Sequence, residues 1–317
     1  MRKAALLYNP ESGGSKQRQQ ELESALAALR TGGVDADLVP TESPHHAVEE
    51  TRRAVDSGCD TIFACGGDGT IHNILQVLAN SSTALAILPM GTANALAHDL
   101  DLPLKVVAAA KASLQAAPRR IALGRVNYAD LKGNPASRYF IVAAGIGVDA
   151  HLFYKLHRGS KKRMGMAAYY AKAWHLWFNY PMTRFVAEYF EASSDAPRSA
   201  EVTELMAVRI RNFGGVLQEL APGASLDRND MRLVFCRTAS RAAYLAYVTR
   251  GLLRLPWTIP GIDLSHSMRV SCQYRSSSTA AQELRKIYVE ADGELLGTLP
   301  AEITVVPDAL TLLAPPR

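Results

Sequence analysis

Three short glycine-bearing segments hold the residues best suited to chemistry: Asn9 to Gly14, Gly66 to Thr70 and Pro89 to Asn94. Each follows an apolar run that reads as a strand: Ala4–Tyr8, Thr61–Cys65 and Ala84–Leu88. In a parallel sheet such turns emerge at the carboxyl edge of the strands, where sheets of this kind bind ligands. Glycine lets backbone approach a phosphate closely, and a helix N-terminus offers free N–H groups at the positive end of its dipole. Thr70 and Thr92 place hydroxyls where a phosphate could accept a hydrogen bond. Asp68 would repel a phosphate directly, so an acid there points to a metal or a proton acceptor. A single turn of this type would be a tight strand-to-helix connection and nothing more. Three at one edge, with Asp68 among them, point to a nucleotide.

The elements that must position these turns alternate strand and helix over the first third of the chain. A helical pattern from Lys16 to Leu29 carries Leu22, Leu26 and Leu29 on one face, and Gly32-Gly33 stops it. A strand near Ala36–Val39 precedes a helix opened by Ser43-Pro44, a capping residue followed by proline. Thr70–Leu78 reads as a helix, and Met90–Thr92 turns the chain into another. Repeated units of this size imply a parallel sheet with helices on both faces. After about residue 125 the segments become mostly β-like: Tyr139–Ala144 leading into a Gly145–Gly147 turn, then Arg184–Phe190, Leu205–Asn212, Met231–Cys236, Met268–Gln273, Ile287–Glu290 and Ile303–Val306. Helices are expected at Ala167–Phe178 and Arg241–Leu253, and Arg198–Ser199 as loop. The fold class is therefore α/β: an N-terminal parallel α/β domain over 1–125 and a mostly antiparallel β domain over 126–305. Residues 306–317 are a candidate to return to the first domain.

The bulk composition excludes several classes. With 317 residues, 48% hydrophobic and 21% charged, the composition is that of a globular protein and argues against disorder as the main state. No stretch reaches about 18 uninterrupted apolar residues, the length of a membrane span; the best candidate, 164–180, is broken by Lys172 and His175. The apolar run Ala4–Tyr8 ends at Asn9-Pro10, too short for a signal-peptide core. Cys59, Cys65, Cys236 and Cys272 have no metal-ligand spacing and read as buried thiols in a reducing cytosol.

The three turns, in their order and spacing, resemble the catalytic domain of diacylglycerol and sphingosine kinases, and bacterial soluble lipid kinases above all. The resemblance rests on Asn9-Pro10-Glu11-Ser12-Gly13-Gly14, Gly66-Gly67-Asp68-Gly69-Thr70 and Pro89-Met90-Gly91-Thr92-Ala93-Asn94. It continues through Gly145-Ile146-Gly147-Val148-Asp149-Ala150, Ala221-Pro222-Gly223-Ala224 with Asp227, and Asp292-Gly293-Glu294, and so covers essentially the whole chain. It implies a two-domain, NAD kinase-like fold and an ATP- and Mg²⁺-dependent lipid kinase. By position, Asn9, Pro10, Ser12, Gly13, Thr41, Gly66, Gly67, Asp68, Gly69, Thr70, His72, Thr92 and Asn94 would contact ATP. Asp68, Asp292 and Glu294 would be catalytic, with Asp292 or Glu294 the base toward the lipid hydroxyl. Asp227, Asp230 and, through its carbonyl, Arg232 match a loop that in some bacterial members holds a structural Mg²⁺.

Residue pattern alone reads Asp292-Gly293-Glu294 as a hairpin turn, since Asp-Gly is a common turn signal. The chain departs from relatives at Asn73, Ala95 and Ala122, where they carry carboxylates of the phosphate and Mg²⁺ network. Two other readings follow: a non-catalytic binder of nucleotide or lipid, and a kinase of the same fold acting on a soluble acceptor.

Charge is distributed unevenly. Between Asp149 and Glu188 lie Lys155, Arg158, Lys161, Lys162, Arg163, Lys172 and Arg184 with no acid, while the whole chain carries +5. Trp174, Trp177, Tyr169, Tyr170 and Phe178 share this segment. Such a stretch, 155–184, suits peripheral docking on an anionic bilayer by a cytoplasmic enzyme; its aromatic face could equally pack on the second domain. No DNA- or RNA-binding motif accompanies it.

Overall fold

A computed structural model describes residues 1–10, 16–148, 150, 182–191, 196–214, 219–253, 258–275 and 286–315. The chain divides into two compact units: Met1–Leu123 with Asn212–Val216 and Val306–Arg317, and Gly124–Arg211 with Leu217–Val305.

The first unit runs β1 (Lys3–Tyr8), α1 (Lys16–Thr31), β2 (Asp35–Pro40), α2 (Pro44–Asp56), β3 (Thr61–Gly66), α3 (Asp68–Leu78), β4 (Ala84–Pro89), α4 (Ala95–Asp99) and α5 (Val106–Leu114). Its strands are parallel in the order β2-β1-β3-β4. The end of β15 (Glu294–Ala314) adds a fifth parallel strand, with Thr311 opposite Ala84 and Leu312 opposite Leu85. Side chains alternate between faces along a strand. Ala4, Leu6, Phe63, Cys65, Ala86 and Leu88 pack on Leu22, Ala25 and Leu29 of α1 and Ala109 and Ala110 of α5. The intervening residues, such as Leu7, Ile62, Ala64 and Ile87, point the other way and are also buried, which is why β3 and β4 read as unbroken apolar runs. The Ser43 side chain accepts the His46 N–H and caps α2, with Pro44 at its first turn.

The second unit contains β5 (Ala117–Asp130, begun in the first), β6 (Pro135–Phe140), β7 (Ala143–Gly147), β8 (Phe185–Phe190), β9 (Pro197–Val202), β10 (Glu204–Val208) and β11 (Met231–Cys236). After these come α6 (Arg241–Leu253), β12 (Ile262–Ser267), β13 (Arg269–Gln273), β14 (Tyr288–Ala291) and most of β15. The antiparallel path is β12-β11-β10-β7-β14-β15, and β15 continues through β13 and β8 to β9. The parallel-then-antiparallel α/β expectation therefore holds.

Several local expectations are corrected. Gly145 and Gly147 are not a turn: they lie within β7, opposite Met206 and Glu204 of β10. Arg198 and Ser199 are not loop but part of β9, because β8 supplies a complete antiparallel partner. The helix placed at Thr70 starts at Asp68, since Gly67 is its N-cap and an acid in the first turn suits the dipole. The strand expected at Leu205–Asn212 stops at Val208, and Asn212 belongs to the first unit. All four cysteines are buried and unbridged. Among the described residues no helix is long and apolar enough to cross a membrane. The helix expected at Ala167–Phe178 and the cations Lys155 to Lys172 lie outside the described residues.

Candidate functional site

Strand register brings the three turns to one edge. Tyr8 stands opposite Pro40 and Cys65, and Gly66 opposite Pro89, so Asn9, Thr41, Gly67 and Met90 leave the same end of the sheet. The edge is tied together by backbone and side-chain bonds. Thr41 is buried, and both its N–H (2.7 Å) and its hydroxyl (3.1 Å) donate to the Tyr8 carbonyl. Met90 N–H donates to Gly66 O at 3.0 Å.

The closest approach is between Gly67 and Gly91. A Cβ on Gly91 would sit 2.5 Å from the Gly67 Cα and 2.7 Å from Asn94 Oδ1. Asn94 adopts a left-handed conformation (φ 49°), and its side chain accepts the Gly91 N–H (2.8 Å) and donates to the Gly91 carbonyl (3.0 Å). Asp68, in the first turn of α3, accepts the Ala95 N–H at 2.9 Å. It thereby fastens the second turn to the third. Asn73 donates to the Gly69 carbonyl at 2.9 Å, so two of the three positions that depart from relatives, Asn73 and Ala95, each make a hydrogen bond at this edge. His72 is buried, Thr70 half-buried, and Thr92 and Pro10 exposed. Ser12 and Gly13 lie outside the described residues.

Beside the third turn is a cavity of about 620 Å³ lined by Gly91, Thr92, Asn94, Arg18, Glu21 and Lys105. Sequence reading missed Arg18, Glu21 and Lys105. Only their position off the Leu22–Leu29 stripe, or just before α5, marks them, and that is equally true of many solvated residues.

In the second unit, Asp292 and Gly293 (φ 50° and 81°) form the two-residue turn between β14 and β15, so the hairpin reading of Asp-Gly is right for the backbone. Positive φ at the second position is what glycine supplies there. The turn also carries more than a connection. The Asp292 carboxylate accepts the N–H groups of Ile141 (3.1 Å), Val142 (2.8 Å) and Ala143 (3.2 Å), and its own N–H donates to Ala143 O at 2.8 Å. Asp292 thus clamps the β6–β7 junction. Glu294 is half-buried, and its carboxylate makes no hydrogen bond among the described residues.

Asp227, Asp230 and Arg232 share one stretch of the second unit, but their surroundings do not suit a cation. Asp230 is gripped by Arg228 through Nε (2.7 Å) and Nη2 (2.5 Å), and His266 Nδ1 lies 3.2 Å from Oδ1. Burial works to raise the Asp230 pKa, yet Arg228 and His266 outweigh it and hold it below the usual carboxylate range. Among the described residues no three acids, histidines or cysteines are grouped to hold a metal. Of the metal set expected from the resemblance, the Asp230 carboxylate is already paired with Arg228 and His266.

Comparisons agree with the fold. Residues 3–126 match the family model described as the diacylglycerol kinase catalytic domain. The chain is 27% identical to a diacylglycerol kinase of Bacillus subtilis (strain 168), covering 95% of this chain and 93% of that protein. It is 24% identical to one of Staphylococcus saprophyticus, covering 99% and 96%. A crystal structure of a diacylglycerol kinase from Bacillus anthracis str. Sterne superposes with a TM-score of 0.69 at 17% identity, covering 99% of this chain and 97% of that one. Yeast NADH kinase complexed with NADH superposes at 0.50 and 10% identity, covering 99% and 83%, a likeness of fold alone. Residues 3–126 are thus similar to the diacylglycerol kinase catalytic domain, and the similarity to proteins named diacylglycerol kinase extends over nearly the whole chain.

Proposed function

We propose that this protein is a lipid kinase that transfers the γ-phosphate of ATP to the hydroxyl of a diacylglycerol-like lipid. The observation that carries the reading is the turn edge of the first unit, where Gly67 and Gly91 meet backbone to backbone within the residues similar to that catalytic domain. Relatives that align over nearly the whole chain are named diacylglycerol kinase, which supports the acceptor class.

In this reading Asn9, Pro10, Ser12, Gly13, Thr41, Gly66 to Thr70, His72, Thr92 and Asn94 bind the nucleotide. The N-terminus of α3 faces the phosphates, whose charge the helix dipole favours. Mg²⁺ bound with the triphosphate would supply neutralisation of its charge. Asp68 keeps the second and third turns in register through the Ala95 N–H.

The reaction also needs an acceptor for the hydroxyl proton. Asp292 would have to release backbone N–H donors to take it, whereas Glu294 would not. Glu294 is therefore assigned as the base and Asp292 as the residue that positions its turn. The lipid oxygen bonds to the γ-phosphorus, the bond to the β-phosphate oxygen breaks, ADP leaves, and the proton passes to Glu294. Residues 155–184 are assigned to transient docking on an anionic bilayer, on the strength of their charge and aromatic content.

One assay tests both statements: ADP release with Mg²⁺ and diacylglycerol, a sphingoid base or phosphatidylglycerol, in neutral mixed micelles and in anionic vesicles. Lipid-dependent turnover that falls about 10²-fold or more in Asp68→Ala is expected. Neutralising Lys161, Lys162 and Arg163 should slow turnover on vesicles and spare it in micelles. Tight nucleotide binding without lipid-dependent ADP release would overturn the kinase reading; equal rates on vesicles would remove the docking.

A further inference from the structure

We propose that the 225–232 loop of the second unit is locked by guanidinium groups that take the place of a divalent cation. The key residue is Arg209, just past β10, whose side chain is fully buried. Its Nη1 donates to the carbonyl of Arg228 at 2.8 Å and to the carbonyl of Asp230. Two main-chain oxygens from alternate residues of one loop thus converge on a single cationic nitrogen, an arrangement that resembles metal coordination. The Arg209 N–H in turn donates to Val142 O at 2.9 Å, which ties this cation to the strand segment clamped by Asp292.

The carboxylates of the loop are also engaged. The carboxylate of Asp230 closes a fork with Arg228 and meets His266. A carboxylate oxygen of Asp227 lies 3.4 Å from the Ser225 hydroxyl. Arg232 adds a third guanidinium, whose buried Nε has no hydrogen-bond partner among the described residues. Arg228 and His266 thus meet the Asp230 carboxylate directly, Arg209 holds the main-chain oxygens beside it, and the Arg232 charge also acts on Asp230.

Mg²⁺ requires near-octahedral oxygen ligands at about 2.0–2.1 Å and gives up water reluctantly. Here the Arg228 and Asp230 carbonyls and the Asp230 carboxylate already accept from nitrogen donors, and a dication would enter among positive charges. A guanidinium meets the same oxygens with a fixed fork of N–H donors and a charge that is never lost. The inference does not depend on the lipid kinase reading.

The test is thermal unfolding of the nucleotide-free protein in millimolar Mg²⁺ and in EDTA, for the wild type and for Arg209→Lys. Lysine keeps the charge and loses the fork. The wild type is expected to melt at one temperature in both media, and Arg209→Lys roughly 5–10 °C lower in both. A wild-type melting point that EDTA lowers would overturn the inference. So would an Arg209→Lys protein that melts like the wild type. The wild-type comparison stands even if the variant fails to fold.

Discussion

Gly91→Ala isolates the contact on which the proposed nucleotide edge depends. The new methyl carbon would lie 2.5 Å from the Gly67 Cα, 3.2 Å from the Gly67 nitrogen and 2.7 Å from Asn94 Oδ1. Carbon atoms rest about 3.5–4.0 Å apart, so the second and third turns must separate by about 1 Å. Neither side can yield by rotating a side chain, because the obstruction on Gly67 is backbone. Overpacking of this kind costs about 1–3 kcal/mol of stability. Displacing phosphate-positioning groups by about 1 Å costs about 10²-fold in rate. The assay is kcat/KM for ATP with saturating lipid, paired with urea unfolding. Gly33→Ala serves as control: its φ of +83° strains an alanine, yet nothing lies within 4 Å of the new methyl. That control should lose about 1–2 kcal/mol and keep its kinetics. A Gly91→Ala enzyme with wild-type kcat/KM would refute the claim that this approach positions the phosphates.

Glu294→Gln should lower kcat by about 10²–10⁴-fold with an unchanged melting temperature, while Asp292→Ala should lose about 2–4 kcal/mol by orphaning three backbone N–H groups; wild-type kcat in Glu294→Gln would end its assignment as base. Stability should also fall as pH drops below neutrality. Burial, followed by Arg232 and Arg228, pulls His266 below its ordinary 6.5 against the attraction of Asp230, so the unfolded chain takes up its proton first. The His266 contribution is complete above pH 6.5 and is lost as pH falls toward the depressed folded value. Asp230, also lowered, acts in the same direction further into acid, its share present above the ordinary carboxylate range. His266→Gln should flatten the urea-midpoint profile near pH 6.5 and leave the acid limb; a profile identical to wild type would contradict this.

The first unit was readable because its signals are local. Unbroken apolar runs, a Ser-Pro cap and glycine turns each specify an element within a few residues, and strand register then gathers the turns at one edge. The second unit depends on partners far apart in the chain. β9 contains a proline and an arginine and becomes a strand only beside β8. Asp292 reads as a turn residue until Ile141 to Ala143, about 150 positions away, supply its N–H donors. Arg209 looks like any surface cation, and nothing in its neighbours announces complete burial. Asp230 was read as a metal ligand from the family resemblance alone, which carries no record of Arg228 and His266 folding onto it.

The pairing of Ala84 and Leu85 with Thr311 and Leu312 has a consequence for biosynthesis. Until those late residues leave the ribosome, β4 presents an open row of N–H and C=O groups on an apolar strand, an invitation to pair with another chain. At about 5–20 residues per second, the more than two hundred residues between the partners take roughly ten to forty seconds to make. Through that interval the nucleotide sheet lacks its last strand, and a nascent chain stalled there would be a client for chaperones before it could be an enzyme.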